Sequence, residues 1–445
     1  MALKTLKKWL RPILYSMPWL YDSYHRAQGV MAATVFGFPS IKMRVIGITG
    51  TNGKTTTANF LAHILEVSGA RVGLATTVNI WTGTKKWINE TKMTTLSPFA
   101  LQGLLRQMAN NKCQYAIIET TSHALAQHRT WGIFYDVAVF TNITHDHLDY
   151  HKTFENYKVA KTKLFRELTE ALRKPGMPKI SVVNLNDPNA PDFYQFPADQ
   201  KYYFAIDKVA TPEAPDALLW ANNIHEGRQR TLFTLNTPKG SIDIQLHLLG
   251  KFNVQNALAA ASVAFALGID LQTIQQGIES AWQVPGRMEY IPNQRDLDVI
   301  IDYAHTPDGF TKVFETLRPL ARGRLIAVFG AAGNRDKTKR PILGQIASQF
   351  ADEIILTEED PGSEDPQQII KEILPGIDRN KFVEGKNLHI ILDRRSAIQR
   401  ALTYAQPGDT IALLAMGAQT VMVRKDKKIP YSEREIVQQI LQSMA

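Results

Sequence analysis

The chain has 445 residues, 44% hydrophobic and 21% charged, which is ordinary globular material and long enough for two or three domains with full cores. Its one cysteine, Cys113, excludes an internal disulfide framework, suits a reducing compartment and as a residue type belongs among small buried hydrophobes. The formal charge of +9 comes from basic residues spread along the chain rather than gathered in a tract, which favours nucleotide phosphates over a nucleic-acid track.

No uninterrupted apolar run is long enough to span a bilayer, and a cytoplasmic location is expected. Residues 1–39 set Lys4, Lys7, Lys8 and Arg11 among Leu3, Leu6, Trp9, Leu10, Ile13, Leu14, Trp19 and Leu20, with Pro12 and Pro18 expected to interrupt any helix. This stretch lacks the continuous apolar core and small-residue cleavage site of a signal peptide. Two uses fit such a short basic amphipathic segment. One is weak contact with an anionic membrane surface; the other is packing on the following domain, the commoner fate of apolar stripes.

The apolar run Arg44-Val45-Ile46 leads into Gly47-Ile48-Thr49-Gly50-Thr51-Asn52-Gly53-Lys54-Thr55-Thr56, and helical periodicity follows at Phe60, Leu61, Ile64 and Leu65. A strand, a glycine-rich turn and a helix in that order form a phosphate-binding loop. The glycines let backbone N–H groups converge on phosphate oxygens, the helix adds its positive end, Lys54 brings a mobile charge, and the Thr55 hydroxyl suits Mg²⁺. ATP or GTP is the expected ligand. The generic signature places a glycine where Ile48 stands, with glycines at 47 and 50 instead.

Further apolar runs, Tyr115-Ala116-Ile117-Ile118 and Val137-Ala138-Val139-Phe140, alternate with helical stretches and predict a parallel sheet covered on both faces. Each delivers polar residues at its C-terminal end, where open α/β sheets carry their sites. Glu119-Thr120-Thr121-Ser122-His123 follows the first, and Thr141 to His151, rich in His and Asp, follows the second. A glutamate and a His/Asp cluster beside a phosphate loop predict a site for a hard cation.

These strings resemble a known family, the Mur ligases and their folate-polyglutamate relatives, which form amide bonds at the expense of ATP. Thr49-Gly50-Thr51-Asn52-Gly53-Lys54-Thr55-Thr56 is similar to their loop variant. Glu119 through His123, Gln127 and Arg129 resembles the E-x-S-S-H-x-L-x-Q-x-R segment of the tripeptide-forming members (MurE), with Thr121 in place of the usual serine. Thr141 to His151 resembles T-N-x-x-x-D-H-L-D-Y-H, and Thr94-Thr95-Leu96-Ser97-Pro98 falls at the T-T-P substrate motif. The resemblance implies ATP contacts from Gly50, Thr51, Asn52, Gly53, Lys54, Thr55 and Thr56. It implies Mg²⁺ held by Thr55, Glu119 and His147, and a nucleotide-sugar peptide held by Thr94, Thr95, Thr121, Gln127 and Arg129.

Tyr157-Lys158-Val159-Ala160-Lys161-Thr162-Lys163-Leu164-Phe165 is similar to the family's Y-x-x-A-K-x-x-L-F, whose lysine is carbamylated and so becomes a carboxylate-like Mg²⁺ ligand. The resemblance gives Lys161 that role, whereas residue type alone describes a solvated helix lysine. Leu249 to Ala260 resembles a G-x-F-N-x-x-N-x-L-A-A helix, implying Asn253 and Asn256 near adenine. An asparagine offers donor and acceptor together, as an adenine edge requires; Asn253 equally suits a helix start.

Val284-Pro285-Gly286-Arg287-Met288-Glu289 matches P-G-R-x-E, and after it strand-like runs restart at Asp298–Ile301, Leu325–Phe329, Glu353–Leu356, Leu388–Leu392 and Thr410–Leu414. The expected architecture is therefore α/β: the short segment 1–39, a central P-loop-type parallel-sheet ATPase domain over 40–284, and a C-terminal Rossmann-like domain over 285–445 that binds the amino acid. Asp302-Tyr303-Ala304-His305-Thr306-Pro307-Asp308 is identical to the family's D-Y-A-H-T-P-D, and Gly330 to Pro341 resembles G-x-G-G-x-R-D-x-x-K-R-P. By resemblance Arg287 and Asp302 contact ATP, Lys54, Lys161 and His305 are catalytic, and Arg335 and Asp360 bind the amino acid.

Two departures bear on the substrates. Glu359-Asp360-Pro361-Gly362 stands where diaminopimelate-adding members carry D-N-P-R, and Ala415-Met416-Gly417-Ala418-Gln419 where the family has G-K-G-H-E. Diaminopimelate is disfavoured, since Gly362 replaces the arginine that grips its side-chain carboxylate. Roughly forty residues precede the loop, where MurE-like enzymes carry a uridine-binding domain of about a hundred. The expected activity is an ATP- and Mg²⁺-dependent acid–amino-acid ligase of peptidoglycan synthesis, acting on a UDP-N-acetylmuramoyl-peptide as a monomer. A folylpolyglutamate, cyanophycin or poly-glutamate ligase and a non-catalytic binding subunit are the alternatives.

Overall fold

The computed structural model describes residues 17–211, 217–425 and 427–444. Lys4, Lys7, Lys8 and Arg11, which make the N-terminal segment basic, lie outside the described residues, and so does any membrane contact through them. No helix among the described residues is long and apolar enough to cross a membrane.

The first sheet joins β1 (Arg44–Thr49), β2 (Val72–Ala75), β3 (Asn79–Thr82), β4 (Lys86–Ile88), β5 (Tyr115–Glu119), β6 (Val137–Phe140), β7 (Ile180–Asn184), β8 (Gln200–Ile206), β9 (Leu218–Glu226), β10 (Thr231–Thr237) and β11 (Gly240–Leu246). Their order is β11-β10-β9-β8-β7-β6-β1-β5-β2-β3-β4. The seven strands from β9 to β2 run parallel, and antiparallel strands extend both edges. β6 and β7 are buried along their whole length, because a parallel sheet wrapped by helices has no wet face and selects mainly apolar residues, here with only Ser181 and Asn184 polar. β10 instead alternates, with Leu232 44% exposed between buried Thr231 and Phe233, the period-two pattern of a strand with one open face.

The helices are α1 (Pro18–Phe36), α2 (Lys54–Val67), α3 (Pro98–Asn110), α4 (Ser122–Ala126), α5 (Leu148–His151), α6 (Phe154–Glu170), α7 (Pro191–Tyr194), α8 (Lys251–Ala266), α9 (Leu271–Ser280), α10 (Pro307–Leu320), α11 (Lys339–Phe350), α12 (Pro366–Ile373), α13 (Arg394–Tyr404) and α14 (Glu433–Ser443). Pro18 does not interrupt a helix but begins α1: a first-turn N–H has no intrahelical acceptor, and proline's fixed φ suits that position. The packed use of this region is what the structure has for residues 18–36. α1 lies on α3, and a Cβ at Gly29 would come within 2.6 Å of the His128 carbonyl oxygen. α8, apolar on nearly every side, lies between α2 and the sheet.

The second sheet comprises β12 (Glu289–Ile291), β13 (Asp298–Asp302), β14 (Leu325–Phe329), β15 (Glu353–Leu356), β16 (Leu388–Ile390) and β17 (Thr410–Leu414) in the order β12-β13-β17-β14-β15-β16, antiparallel only at β12. A hairpin of β18 (Val421–Arg424) and β19 (Lys427–Pro430) follows it. Two apolar clusters fill the faces of the first sheet and two those of the second, so the molecule has two α/β layers. Cys113 is buried as its residue type suggests, and burial pushes its thiol up to about 11.

Candidate active site

The carboxyl ends of β1, β5 and β6 open onto a cleft of about 190 Å³ that the second α/β layer walls on the far side. The loop between β1 and α2 requires glycine twice. Gly50 (φ 152°) has no room for a Cβ, which would lie 1.9 Å from the Thr141 hydroxyl oxygen. Gly53 adopts φ 84°, and a Cβ there would meet Asn256 Oδ1 at 2.1 Å. The turn is thus pressed between the end of β6 and the start of α8.

Lys54 Nζ folds back to donate to the carbonyl oxygens of Gly50 (3.0 Å) and Thr51 (2.8 Å). Burial lowers its pKa, while Glu119 and Asp146 hold some of its charge in place. Lys161, from α6, reaches the same Gly50 carbonyl at 2.6 Å and lies 4.5 Å over the Tyr157 ring. It is 2% exposed, and burial together with the neighbouring Lys54 charge holds its pKa well below the ordinary lysine value. Lys161 is therefore no solvated helix lysine. A buried amine with a depressed pKa is the nucleophilic, uncharged form that reacts with CO₂ to give a carbamate.

Glu119, 2% exposed at the end of β5, gathers three donors on Oε2: the Thr55 hydroxyl at 2.9 Å, the Thr77 N–H at 2.8 Å and the Thr77 hydroxyl at 3.1 Å. His147 sits in a left-handed turn (φ 55°) at the start of α5, with Nε2 3.4 Å from Asp146 Oδ2. Burial lowers the His147 pKa despite Asp146, leaving a neutral imidazole. Burial opposes ionisation of Asp146, but His147, His305 and Lys339 outweigh it and its pKa falls. Among the described residues no three His, Cys, Asp or Glu side chains form a metal cage. Hard oxygen donors are nonetheless in contact at Thr55 and Glu119, and a carbamate on Lys161 would add the oxygen ligand that its amine is not. The donor set fits Mg²⁺ on that condition.

Thr94 and Thr121 line the cleft, whereas Thr95, Gln127 and Arg129 extend from it as one bonded array. The Thr94 and Thr77 hydroxyl oxygens lie 2.9 Å apart. The Thr95 hydroxyl donates to the Glu119 carbonyl (2.8 Å) and lies 3.2 Å from that of Thr121, which caps α4 by accepting from Ala124 N. Arg129 donates to the Thr95 carbonyl at 3.1 Å and to Gln127 Oε1 at 2.9 Å. Asn253 and Asn256 both line the cleft. Asn253 Nδ2 also donates to the Leu249 carbonyl at 2.7 Å, tying down the start of α8, and Asn256 Nδ2 donates to Asn253 Oδ1 at 3.0 Å.

The second layer contributes Arg287, Asp302 and His305. Arg287 donates to the Thr55 hydroxyl at 3.3 Å and lies 4.7 Å over the Tyr303 ring. Asp302 accepts from Met288 N (2.7 Å) and Ala304 N (2.6 Å); burial still raises its pKa. His305 is lowered to about 4 by burial and Lys339, and Nδ1 lies 2.8 Å from the Tyr303 carbonyl, which fixes the ring. Arg335 and Asp360 are not in the cleft lining: Arg335 is exposed, and Asp360 is bound to Lys92. Sequence reasoning missed Lys312 and Thr77, which stands just past the carboxyl end of β2 as that rule for α/β sheets would have flagged; Asn142 and Asp146, from the flagged Thr141–His151 segment but given no role of their own, also line the cleft.

Family models match two stretches of the chain, "Mur ligase middle domain" at residues 48–264 and "Mur ligase, glutamate ligase domain" at residues 286–417. It is similar to a UDP-N-acetylmuramyl-tripeptide synthetase of Roseiflexus, 40% identical over 91% of this chain and 79% of that protein. A UDP-N-acetylmuramoyl-L-alanyl-D-glutamate–2,6-diaminopimelate ligase of Clostridium botulinum is 36% identical over 94% and 82%. A solved structure of a ligase with that diaminopimelate name aligns with a TM-score of 0.61 at 32% identity, covering 90% of this chain and 79% of its own. The Mycobacterium tuberculosis folylpolyglutamate synthase with ADP shares the fold alone, with a TM-score of 0.69 at 18% identity over 87% of this chain and 91% of that one. The two family models together span most of the chain, relatives above 30% identity align over more than nine-tenths of it, and the chain belongs to the Mur ligase family.

Proposed function

We propose that this protein is an ATP-dependent ligase that joins an amino acid to the carboxylate of a UDP-N-acetylmuramoyl-peptide, releasing ADP and phosphate, in the cytoplasm and as a monomer. The observation that carries the proposal is the convergence of Lys54, Thr55, Glu119 and His147 with Arg287 and His305 in one cleft between the layers. The central domain, 40–284, binds ATP, and the C-terminal domain, 285–445, binds the amino acid. The bonded array Thr95–Arg129–Gln127 favours the muramoyl-peptide over a folate or polyglutamate acceptor.

An amine does not displace oxide from a carboxylate at neutral pH, so the carboxylate needs a better leaving group. Transfer of the ATP γ-phosphoryl to the acceptor carboxylate supplies one: the carboxylate oxygen attacks phosphorus, ADP leaves, and the amino group then attacks the acyl carbon and expels phosphate. Lys54 neutralises charge on the transferring group, Asn253 and Asn256 face adenine, and Arg287 and Asp302 complete the nucleotide site from the second layer. Thr55, Glu119, His147 and a carbamylated Lys161 would hold Mg²⁺, which when bound shields the phosphate oxygens.

Gly362 supports an amino acid other than diaminopimelate. Its φ of 61° and the 2.7 Å approach of Asn334 Nδ2 to a Cβ there disfavour any side chain, let alone an arginine. Acceptor labelled with ¹⁸O in its terminal carboxylate tests the acyl-phosphate route. One labelled oxygen passes to inorganic phosphate with each turnover; unlabelled phosphate beside amide product contradicts it.

A further inference from the structure

A chain of polar contacts leads from the cleft to α1. The Glu119 carbonyl accepts from Thr95, the Thr95 carbonyl from Arg129, and Gln127 Oε1 from Arg129. Gln127 Nε2 in turn points at two phenol oxygens, Tyr21 of α1 at 3.4 Å and Tyr150 of α5 at 3.3 Å. His25, one helical turn beyond Tyr21, meets its ring edge-on at 4.4 Å. Burial and the charges of Arg129 and His128 lower His25, which leaves a neutral imidazole packed on the phenol. Asp22 is bound to His128 at 2.9 Å, and no described carboxylate pairs with Arg129, whose bonds all go to neutral oxygens. A partly buried guanidinium with only neutral partners retains its attraction for an anion.

We propose that Tyr21 and His25 of α1 are part of the acceptor site, flanking Arg129 where it receives a carboxylate-bearing segment of the acceptor peptide. This rests on the ligase function proposed above. The phenol holds the Gln127 amide that in turn holds the guanidinium, the imidazole braces the phenol ring, and together they close the site on the side away from ATP. They are positioning and binding groups rather than catalytic ones, and their loss acts on the acceptor alone.

Steady-state kinetics on the full chain with UDP-N-acetylmuramoyl-dipeptide test this. Tyr21→Phe raises the KM for the acceptor about three- to tenfold, the worth of one hydrogen bond, and His25→Gln, which removes the ring packed on that phenol, raises it in the same sense, while kcat and the KM for ATP stay as in wild type. Tyr24→Phe, whose hydroxyl accepts only from Gln28 on the same helix, leaves all three unchanged. Urea unfolding midpoints within experimental error of wild type show that the effect is not loss of fold. An unchanged acceptor KM in both variants overturns the inference and leaves the ligase function standing. Absence of wild-type turnover overturns the ligase function and this inference with it.

Discussion

Lys92 of the first layer grips Asp360 of the second, with Nζ 2.6 Å from Oδ2 and 2.8 Å from Oδ1, both side chains about four-fifths buried. The Val423 N–H completes the carboxylate at 2.7 Å. Both residues adopt positive φ, 56° and 35°, a backbone cost of roughly 1 kcal/mol or more for each that neighbouring contacts must offset. Asn52 Nδ2 to Asp308 Oδ2 at 2.7 Å is a second bond across the same divide. The two layers are therefore latched beside the cleft that must admit substrates.

Breaking the latch loosens the pair of domains. Lys92→Ala is expected to enlarge the radius of gyration of the ligand-free protein in small-angle X-ray scattering, and salt at high concentration to do the same to wild type by screening. A radius identical to wild type for the variant means that the bridge does not hold the layers together.

Much of this was legible because it depends on local sequence. The loop from Gly47 to Thr56 announces its strand, turn and helix in consecutive residues, and the buried runs of β5, β6, β14 and β17 are apolar without alternation, as parallel strands are. β9, β10 and β11 were passed over because their alternation at an open edge resembles ordinary polar sequence. Lys161 shows the other limit. Its bond to the Gly50 carbonyl reaches across 111 positions, and residue type alone points to solvent. The Lys92–Asp360 latch spans 268 positions and left no local trace.

Lys54→Ala removes the only lysine that bonds to the phosphate-loop carbonyls from within the loop. Turnover falls about 100-fold or more, by analogy with loss of a single preorganised donor. Phosphate release at the wild-type rate excludes the loop as the site of phosphoryl transfer.

Lys161→Ala is equally inactive and regains activity when short carboxylic acids are added, since they supply the carbamate's oxygens in the pocket that the side chain vacates. Intact-mass spectrometry at high bicarbonate complements this by showing one added CO₂ on wild type and none on the variant. If there is no rescue and no added mass, the carbamate is excluded.

Glu167 gives stability a pH dependence. Burial raises its carboxyl to about 7 against an ordinary 4.5, so the folded state holds the proton over that interval and the unfolded state does not. Its contribution is fully present below about pH 4.5 and is lost as pH rises through 7, a change of roughly 3 kcal/mol at most. Urea unfolding at pH 5 and pH 8 is predicted to show a larger loss for wild type than for Glu167→Gln. Equal losses contradict it.

Asp136 is fully buried and pairs with two lysines, with Lys174 Nζ at 2.5 Å and Lys179 Nζ at 3.3 Å, while its Oδ2 takes the Val45 N–H at 2.9 Å. Asp136→Ala strands both cations beneath the phosphate-loop strand and is expected to destabilise the protein by about 3–5 kcal/mol in urea titration. A loss under 1 kcal/mol means that the lysines find water.

Phosphate release from ATP is the most direct measure of the central claim, with UDP-N-acetylmuramoyl-dipeptide as acceptor and each candidate amino acid supplied in turn. The account predicts release that requires both the acceptor and one amino acid other than diaminopimelate, in step with amide formed. Release independent of the acceptor, or none with any amino acid, contradicts it.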